Sequence, residues 1–255
     1  MSDFDLDRLR SSAVVEALDY QSVVSSTNDR ARELSGDVAQ GDTLLVIADE
    51  QTAGRGRGSN RWWTGADSLA FSLLFDPSLR GIDRRWTSMI GLAAASAVID
   101  VAQSLLPDKT VGLHWPNDVF VSHRKLAGVL VEALADGRHI VGVGVNVNNS
   151  LATAPDELKQ IATSLLDLAG REVDRTQFLI GMVAAFHAAM EVLATAPQQL
   201  GRYCDGLCLQ HGQTLTIDTG HDRVTGTCDG VADDGALVLE TKKGRETIYS
   251  GVIIK

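Results

Sequence analysis

The stretch Gln51-Thr52-Ala53-Gly54-Arg55-Gly56-Arg57-Gly58 limits this chain more than any other. Glycine allows positive φ and lets backbone approach a ligand closely. Arginine keeps its charge and grips carboxylates and phosphates with a planar fork of donors. The segment follows an apolar strand candidate, Leu44 to Ala48, so it falls where a rigid sheet hands over to a loop. An extended Gly-Arg-Gly-Arg-Gly run in that place is suited to wrapping an anion. Two plainer readings compete with this one: a flexible linker, or an RGG-like segment that binds nucleic acid without sequence preference.

The charge balance weighs against the second of these. The 255 residues carry a formal net charge of −10, whereas a general nucleic-acid binder leans basic. A local basic site on an acidic body remains open to Arg55, Arg57 and Arg61. Hydrophobic content of 44% with 22% charged residues is that of a globular protein, long enough for one large domain plus a small one. The acidic start Met1-Ser2-Asp3-Phe4-Asp5 has no apolar core and is no secretory signal. Polar residues interrupt the apolar runs Met89 to Leu106 and Phe178 to Ala196, so neither reads as a membrane span and a cytoplasmic location is expected. Cys204, Cys208 and Cys228 lack zinc spacing and read as buried thiols.

Along the chain, residues 5 to 18 have helical periodicity. Residues 20 to 25 read as a strand, after which Ser26-Thr27-Asn28 opens a helix; all three are N-cap types. Further strands are expected at 43–48, 69–75, 111–115 and 119–121, and a helix at 89–106. A hairpin turning at Ser122-His123-Arg124 returns along Lys125 to Ala133, with strict alternation placing Lys125, Ala127 and Val129 on one face. Lys125 opens an otherwise apolar strand, which points to a ligand-facing role. In the strand His139 to Val147, Gly142 and Gly144 signal close approach of a ligand or of other backbone. Helices follow at 156–168 and 175–195, the second opened by Asp174 and Gln177. From Gly212 the texture changes to short alternating strands separated by turns, a small β-barrel. The fold class is α+β, a mixed sheet flanked by helices, with domains at 1–207 and 208–255.

Five blocks occur in order: Ser26-Thr27-Asn28, Gly54-Arg55-Gly56-Arg57, Trp115-Pro116-Asn117-Asp118, Lys125-Leu126-Ala127-Gly128 and Gly142-Val143-Gly144-Val145-Asn146. In this pattern the chain, over roughly residues 20 to 255, resembles the biotin protein ligase family. The resemblance implies a class II synthetase-like catalytic domain and a C-terminal SH3-like domain. Its single short N-terminal helix is too little for the DNA-binding domain of some family members, so no DNA partner is expected.

The resemblance further implies that biotin and ATP are condensed to biotinyl-5′-AMP and that biotin then passes to a lysine of a biotin carboxyl carrier domain. Arg57 and Lys125 are the implied catalytic pair. Ser26, Thr27, Asn28, Gln51, Gly54, Arg55, Gly56, Trp62 and Gly128 join them around biotin. Asn117, Asp118 and Asn146, with Arg55, Arg57 and Lys125, serve ATP, and Asp118 serves Mg²⁺. A monomer or homodimer is expected. Two departures from the family pattern stand out: Gly58-Ser59-Asn60-Arg61 makes the loop less basic, and His114 replaces the usual lysine before Trp115. The nearest rival is a lipoate ligase or octanoyl transferase, which shares the catalytic fold without this pairing of blocks. A non-catalytic nucleic-acid-binding module ranks behind both.

Overall fold

The computed structural model describes residues 4–254; the remainder of the acidic start, Met1-Ser2-Asp3, lies outside the described residues. The expected helix over 5–18 is shorter, α1 at Leu6–Ser11. It ends where Ala13 takes a φ of 51° and the β-branched Val14-Val15 follow. Next come β1 (Ala17–Val24), α2 (Thr27–Glu33), β2 (Leu44–Gln51), β3 (Leu69–Phe75) and α3 (Ile90–Leu105). After them run β4 (Val111–His114), β5 (Asp118–Val121), β6 (Arg124–Ala133) and β7 (His139–Val145).

These strands form one sheet in the order β1-β2-β3-β7-β6-β5-β4. β1 and β2 are parallel, joined across α2, and every other pairing is antiparallel. β3 is buried along its whole length, as its apolar run, broken only by Ser72, suits a strand covered on both faces. On one face, Ala31 of α2 meets Leu44, Val46, Leu74 and Ile140.

The other face carries α3 and the long α6 (Arg175–Thr195), which pack together. Small residues from Gly91 to Ala97 let α3 approach closely, and Ala93, Ala94 and Ala95 are fully buried. Segments Arg84–Leu105 and Arg175–Thr195 are long and apolar enough to cross a membrane by length and composition. Here both contribute to one core with the sheet.

The β5–β6 hairpin turns at Ser122 and His123, at φ 49° and 66°, the two positive values a tight two-residue turn demands. Phe120 pairs with Lys125 but Val119 pairs with Ala127, so Leu126 is an extra residue, a β-bulge. The bulge corrects the expected alternation. Lys125 shares its face not with Ala127 but with Gly128, whose Cβ position lies 3.2 Å from the Lys125 Nζ.

The helix expected over 156–168 is broken into α4 (Asp156–Lys159) and α5 (Leu165–Ala169). Between them the chain makes an isolated parallel bridge to β6 at Ala162: Lys125 N–H donates to the Ile161 carbonyl at 2.8 Å and Thr163 N–H to the Lys125 carbonyl at 2.9 Å. This pairing outweighs the helical pattern and pins the Lys125 backbone on its open side.

α7 (Pro197–Leu207) leads to a separate five-stranded antiparallel sheet. Its strands are β8 (Thr214–Asp218), β9 (Arg223–Val231), β10 (Leu237–Thr241), β11 (Gly244–Ile248) and β12 (Val252–Ile254), ordered β11-β10-β9-β8-β12. The buried Trp115 ties the two sheets together: its N–H donates to Gln210 Oε1 at 2.7 Å and its Nε1 to the Gly235 carbonyl at 3.0 Å.

Candidate active site

One cavity of about 470 Å³ opens above the sheet, beside the end of β2, the first half of β6 and the middle of β7. Every residue that the resemblance assigns to biotin or ATP lines it except Gly54. Gly54 sits behind the lining, where a Cβ would lie 2.7 Å from the Trp62 carbonyl oxygen.

The floor is polar and tied together by its own hydrogen bonds. Ser26 stands at the α2 N-cap with extended backbone, but its hydroxyl makes no capping bond, so capping does not account for it. Thr27 donates its N–H to Gln51 Oε1 at 2.9 Å and its hydroxyl to the same oxygen at 3.2 Å. Ser72 Oγ, which no sequence motif marks, lies 2.8 Å from Thr27 Oγ1 and donates to Asn28 Oδ1 at 2.6 Å. The three α2 residues are almost wholly buried. Both strand glycines serve close approach: a Cβ on Gly142 would overlap the Asn28 amide, and one on Gly144 would overlap the Trp62 indole. Trp62 thus lies flat on the Gly144 backbone, with Lys125 Nζ 5.9 Å from its ring centre, within cation–π range.

Two cations converge above this floor. Lys125 Nζ pairs with Asp118 Oδ1 at 2.7 Å. Arg57 faces the same cavity; burial lowers its pKa from the ordinary value, and the Asp118 carboxylate works the other way. Partial removal from water strengthens any pairing Arg57 makes with an incoming anion. Meanwhile it donates to the Gly251 carbonyl at 3.4 Å and Ser250 Oγ at 3.3 Å. The C-terminal domain therefore walls the site, with Gly251, Val252 and Ile253 along it, a contribution no block in the sequence announced.

The arginine loop is itself a small hairpin. Gly56 N–H donates to the Asn60 carbonyl at 2.8 Å and Trp62 N–H to the Gly54 carbonyl at 3.0 Å. Gly58 supplies the positive φ of 62° at its tip. Arg55 turns away from Arg57 toward Asp29 and Glu132, with Nη2 at 2.6 and 3.1 Å from them.

On the remaining wall, Asn117 donates its side-chain amide to the Val129 carbonyl, and Asn146 accepts from Asn149 Nδ2 at 2.9 Å. Asn148, by contrast, is spent on the backbone of Val173. His114 stacks on Phe120, ring centres 4.5 Å apart, at the cavity edge. Asp118 is the one carboxylate lining the cavity among the described residues, and no cluster of three or more potential metal ligands occurs among them. The three cysteines are buried thiols.

Two cations against a polar, glycine-floored slot define a site that gathers anionic groups on a small molecule while reading a polar head. The profile of the biotin/lipoate A/B protein ligase family matches residues 20–148, and that of the biotin protein ligase C-terminal domain matches residues 211–255. The bifunctional ligase/repressor BirA of Bacillus spizizenii is 34% identical over 96% of this chain and 76% of its own length. A biotin--[acetyl-CoA-carboxylase] ligase of Mycobacterium tuberculosis is 32% identical over 89% of this chain and 85% of its own. Among solved structures, the biotin protein ligase from Aquifex aeolicus in complex with biotin and ATP superposes with a TM-score of 0.82 at 27% identity, covering 94% of this chain and 98% of that one. The chain belongs to the biotin/lipoate A/B protein ligase family, and its two domains together are those of a biotin protein ligase.

Proposed function

We propose that this biotin protein ligase activates biotin with ATP in the cavity between Arg57 and Lys125, then passes the biotinyl group to a lysine of a biotin carboxyl carrier domain. The observation that carries this reading is the meeting of the two cations over a floor of Thr27, Asn28 and Gln51. The planar ureido head, with two N–H donors and one carbonyl acceptor, needs matched polar partners. Thr27, Asn28 and Gln51 are fixed by each other and offer their remaining hydrogen-bonding capacity to it, with Ser26 beside them.

In the first step a biotin carboxylate oxygen attacks the α-phosphorus of ATP and pyrophosphate leaves. The obstacle is the approach of one anion to another, with charge growing on the non-bridging oxygens. Lys125 and Arg57, already partly desolvated, stabilise that charge without reorganising. In the second step the acceptor amine attacks the acyl carbon and AMP leaves. Trp62, Gly56 and Gly128 shape the slot around the acyl chain, while Arg55 and Gly54 order the loop that shields the mixed anhydride from water.

Asn117 and Asn146 line the nucleotide side. Asp118 with the substrate phosphates fits Mg²⁺, an ion held by one or two carboxylates plus phosphate oxygens. Held there, such an ion would supply charge neutralisation for the leaving pyrophosphate. His114 stands where the nucleotide's outer phosphates would pass. The remaining parts of the reading are the division at 207/208, a cytoplasmic setting without a DNA partner, and a monomer or homodimer.

Exchange of radiolabelled pyrophosphate into ATP tests the reading: strong dependence on added biotin is expected. Exchange that answers to lipoate or octanoate instead would overturn it. Arg57→Gly is expected to shorten the lifetime of the bound adenylate more than it slows its formation, since the cation holds the product's phosphate after the bond is made. Single-turnover formation and gel-filtration retention of the adenylate measure the two effects separately, and equal losses in both would remove the clamp role.

A further inference from the structure

Glu132, near the end of β6, belongs to no motif. The bulge at Leu126 turns it onto the face of Lys125, where it accepts from three side chains. Asn28 Nδ2 donates to its Oε2 at 2.7 Å. Arg55 donates to both oxygens, at 3.2 and 3.1 Å. Arg32 of α2 approaches Oε1 at 3.2 Å. Arg32 and Arg55 also share Asp29 Oδ1, at 3.0 and 2.6 Å. Burial pushes the Glu132 carboxyl up; the Asn28 hydrogen bond and the charges of Arg55 and Arg32 outweigh it and hold the group below its ordinary value.

Burying a carboxylate costs free energy unless it is paired and hydrogen-bonded. This one is used at two places at once. The Asn28 amide sends its nitrogen to Glu132 and, more weakly, to the Leu130 carbonyl at 3.5 Å, so both protons are taken up by β6. Its Oδ1 takes the Ser72 proton and keeps one lone pair. Asn28 therefore presents an acceptor to the slot, the complement of an N–H on a ureido head. The second carboxylate contact reaches Arg55, two residues before Arg57 on the loop.

We propose that Glu132 is a positioning residue that couples recognition of the biotin head to closure of the arginine loop, acting through Asn28 on one side and Arg55 on the other. A head that strengthens the Asn28 arrangement stabilises the carboxylate that holds Arg55, and so favours the folded loop that presents Arg57. Rotation of the Asn28 amide would aim N–H at N–H and also release the latch. The inference rests on the reading of the floor as the biotin-head site.

The test is steady-state pyrophosphate exchange, with KM for biotin and kcat separated, on full-length protein. Glu132→Ala is expected to raise KM for biotin about tenfold or more, the scale of a lost charge-assisted hydrogen bond, with KM for ATP within about threefold of the parent. Glu132→Gln keeps an acceptor for Asn28 but loses the charge for Arg55. It is expected to recover most of the KM while trypsin cleaves the loop at Arg55 and Arg57 several-fold faster, with biotin protecting less. KM for biotin within twofold of the parent in both variants would overturn the proposal. If neither folds, the cycle of Asn28→Ala and Arg55→Ala decides: coupling of at least threefold in KM for biotin is expected, and additivity overturns it. Parent protein with no biotin-dependent exchange would instead sink the underlying reading of the floor.

Discussion

Lys125→Ala is expected to lower biotin-dependent pyrophosphate exchange by roughly 10³-fold or more while leaving the fold intact. The expectation follows from what Lys125 touches. Its ammonium lies against Asp118 and beside the Trp62 face, in the same cavity as Arg57. Removing one preorganised group that meets developing charge costs about 10²–10³-fold. Here the loss is expected to be larger, because the Asp118 carboxylate is left without its partner in the slot proposed for the α-phosphate.

The stability effect is small. The Lys125 and Asp118 side chains are 33% and 25% exposed, so solvent partly screens their ion pair. The local backbone is held by pairing to Ile161 and Thr163, which alanine also makes. Lys125→Arg does not rescue. A guanidinium needs more room than the ammonium, which already lies 3.2 Å from where a Gly128 Cβ would be. A Lys125→Ala protein that melts within a few degrees of the parent and exchanges at the parent rate would exclude Lys125 from the chemistry.

Much of this site was legible in the chain because its parts are backbone demands. Gly142 and Gly144 alternate with valines in a strand, a pattern with no packing rationale, and both prove to be places where a side chain lies against bare backbone. The N-cap residue types at 26–28 suit both a helix start and a ligand site; Ser26 makes no capping bond, and Thr27 bonds Gln51 across the cavity floor.

Other parts were illegible for definite reasons. Alternation from Lys125 puts Glu132 on the far face, and one extra residue at Leu126 reverses that parity; no propensity marks such a bulge in an apolar strand. Ser72 is one polar residue in a strand of six apolar ones, visible as an oddity but silent about its partners. The Ser250 and Gly251 contacts with Arg57 span about 190 positions, and only the docking of the second sheet creates them. The 156–168 segment reads as helical because tertiary pairing to Lys125 has no local signature.

Gly142→Ala is expected to raise KM for biotin by about 10²-fold and to destabilise the protein by about 1–3 kcal/mol, the usual penalty of overpacking a filled interior. In an ordinary strand this substitution stabilises, because glycine loses more freedom on folding than alanine. The sign reverses here because the new methyl would occupy the place of the Asn28 amide, with Asn28 Cγ only 2.9 Å from it. A flexible surface side chain would swing aside. Asn28 has nowhere to go: it is 3% exposed, its oxygen is held by Ser72 at 2.6 Å and its nitrogen by Glu132 at 2.7 Å. The strain therefore falls on the hydrogen bonds that set the head pocket.

Pairing the substitution with Asn28→Ala separates space from recognition. The double variant has room for the methyl, so its thermal stability should return toward that of Asn28→Ala alone. Its KM for biotin should stay high, because the acceptor on the floor is gone. Thermal melts and exchange kinetics on the four proteins of this cycle measure both quantities. A Gly142→Ala protein with parental KM for biotin would mean that the Asn28 amide is not where the head is read.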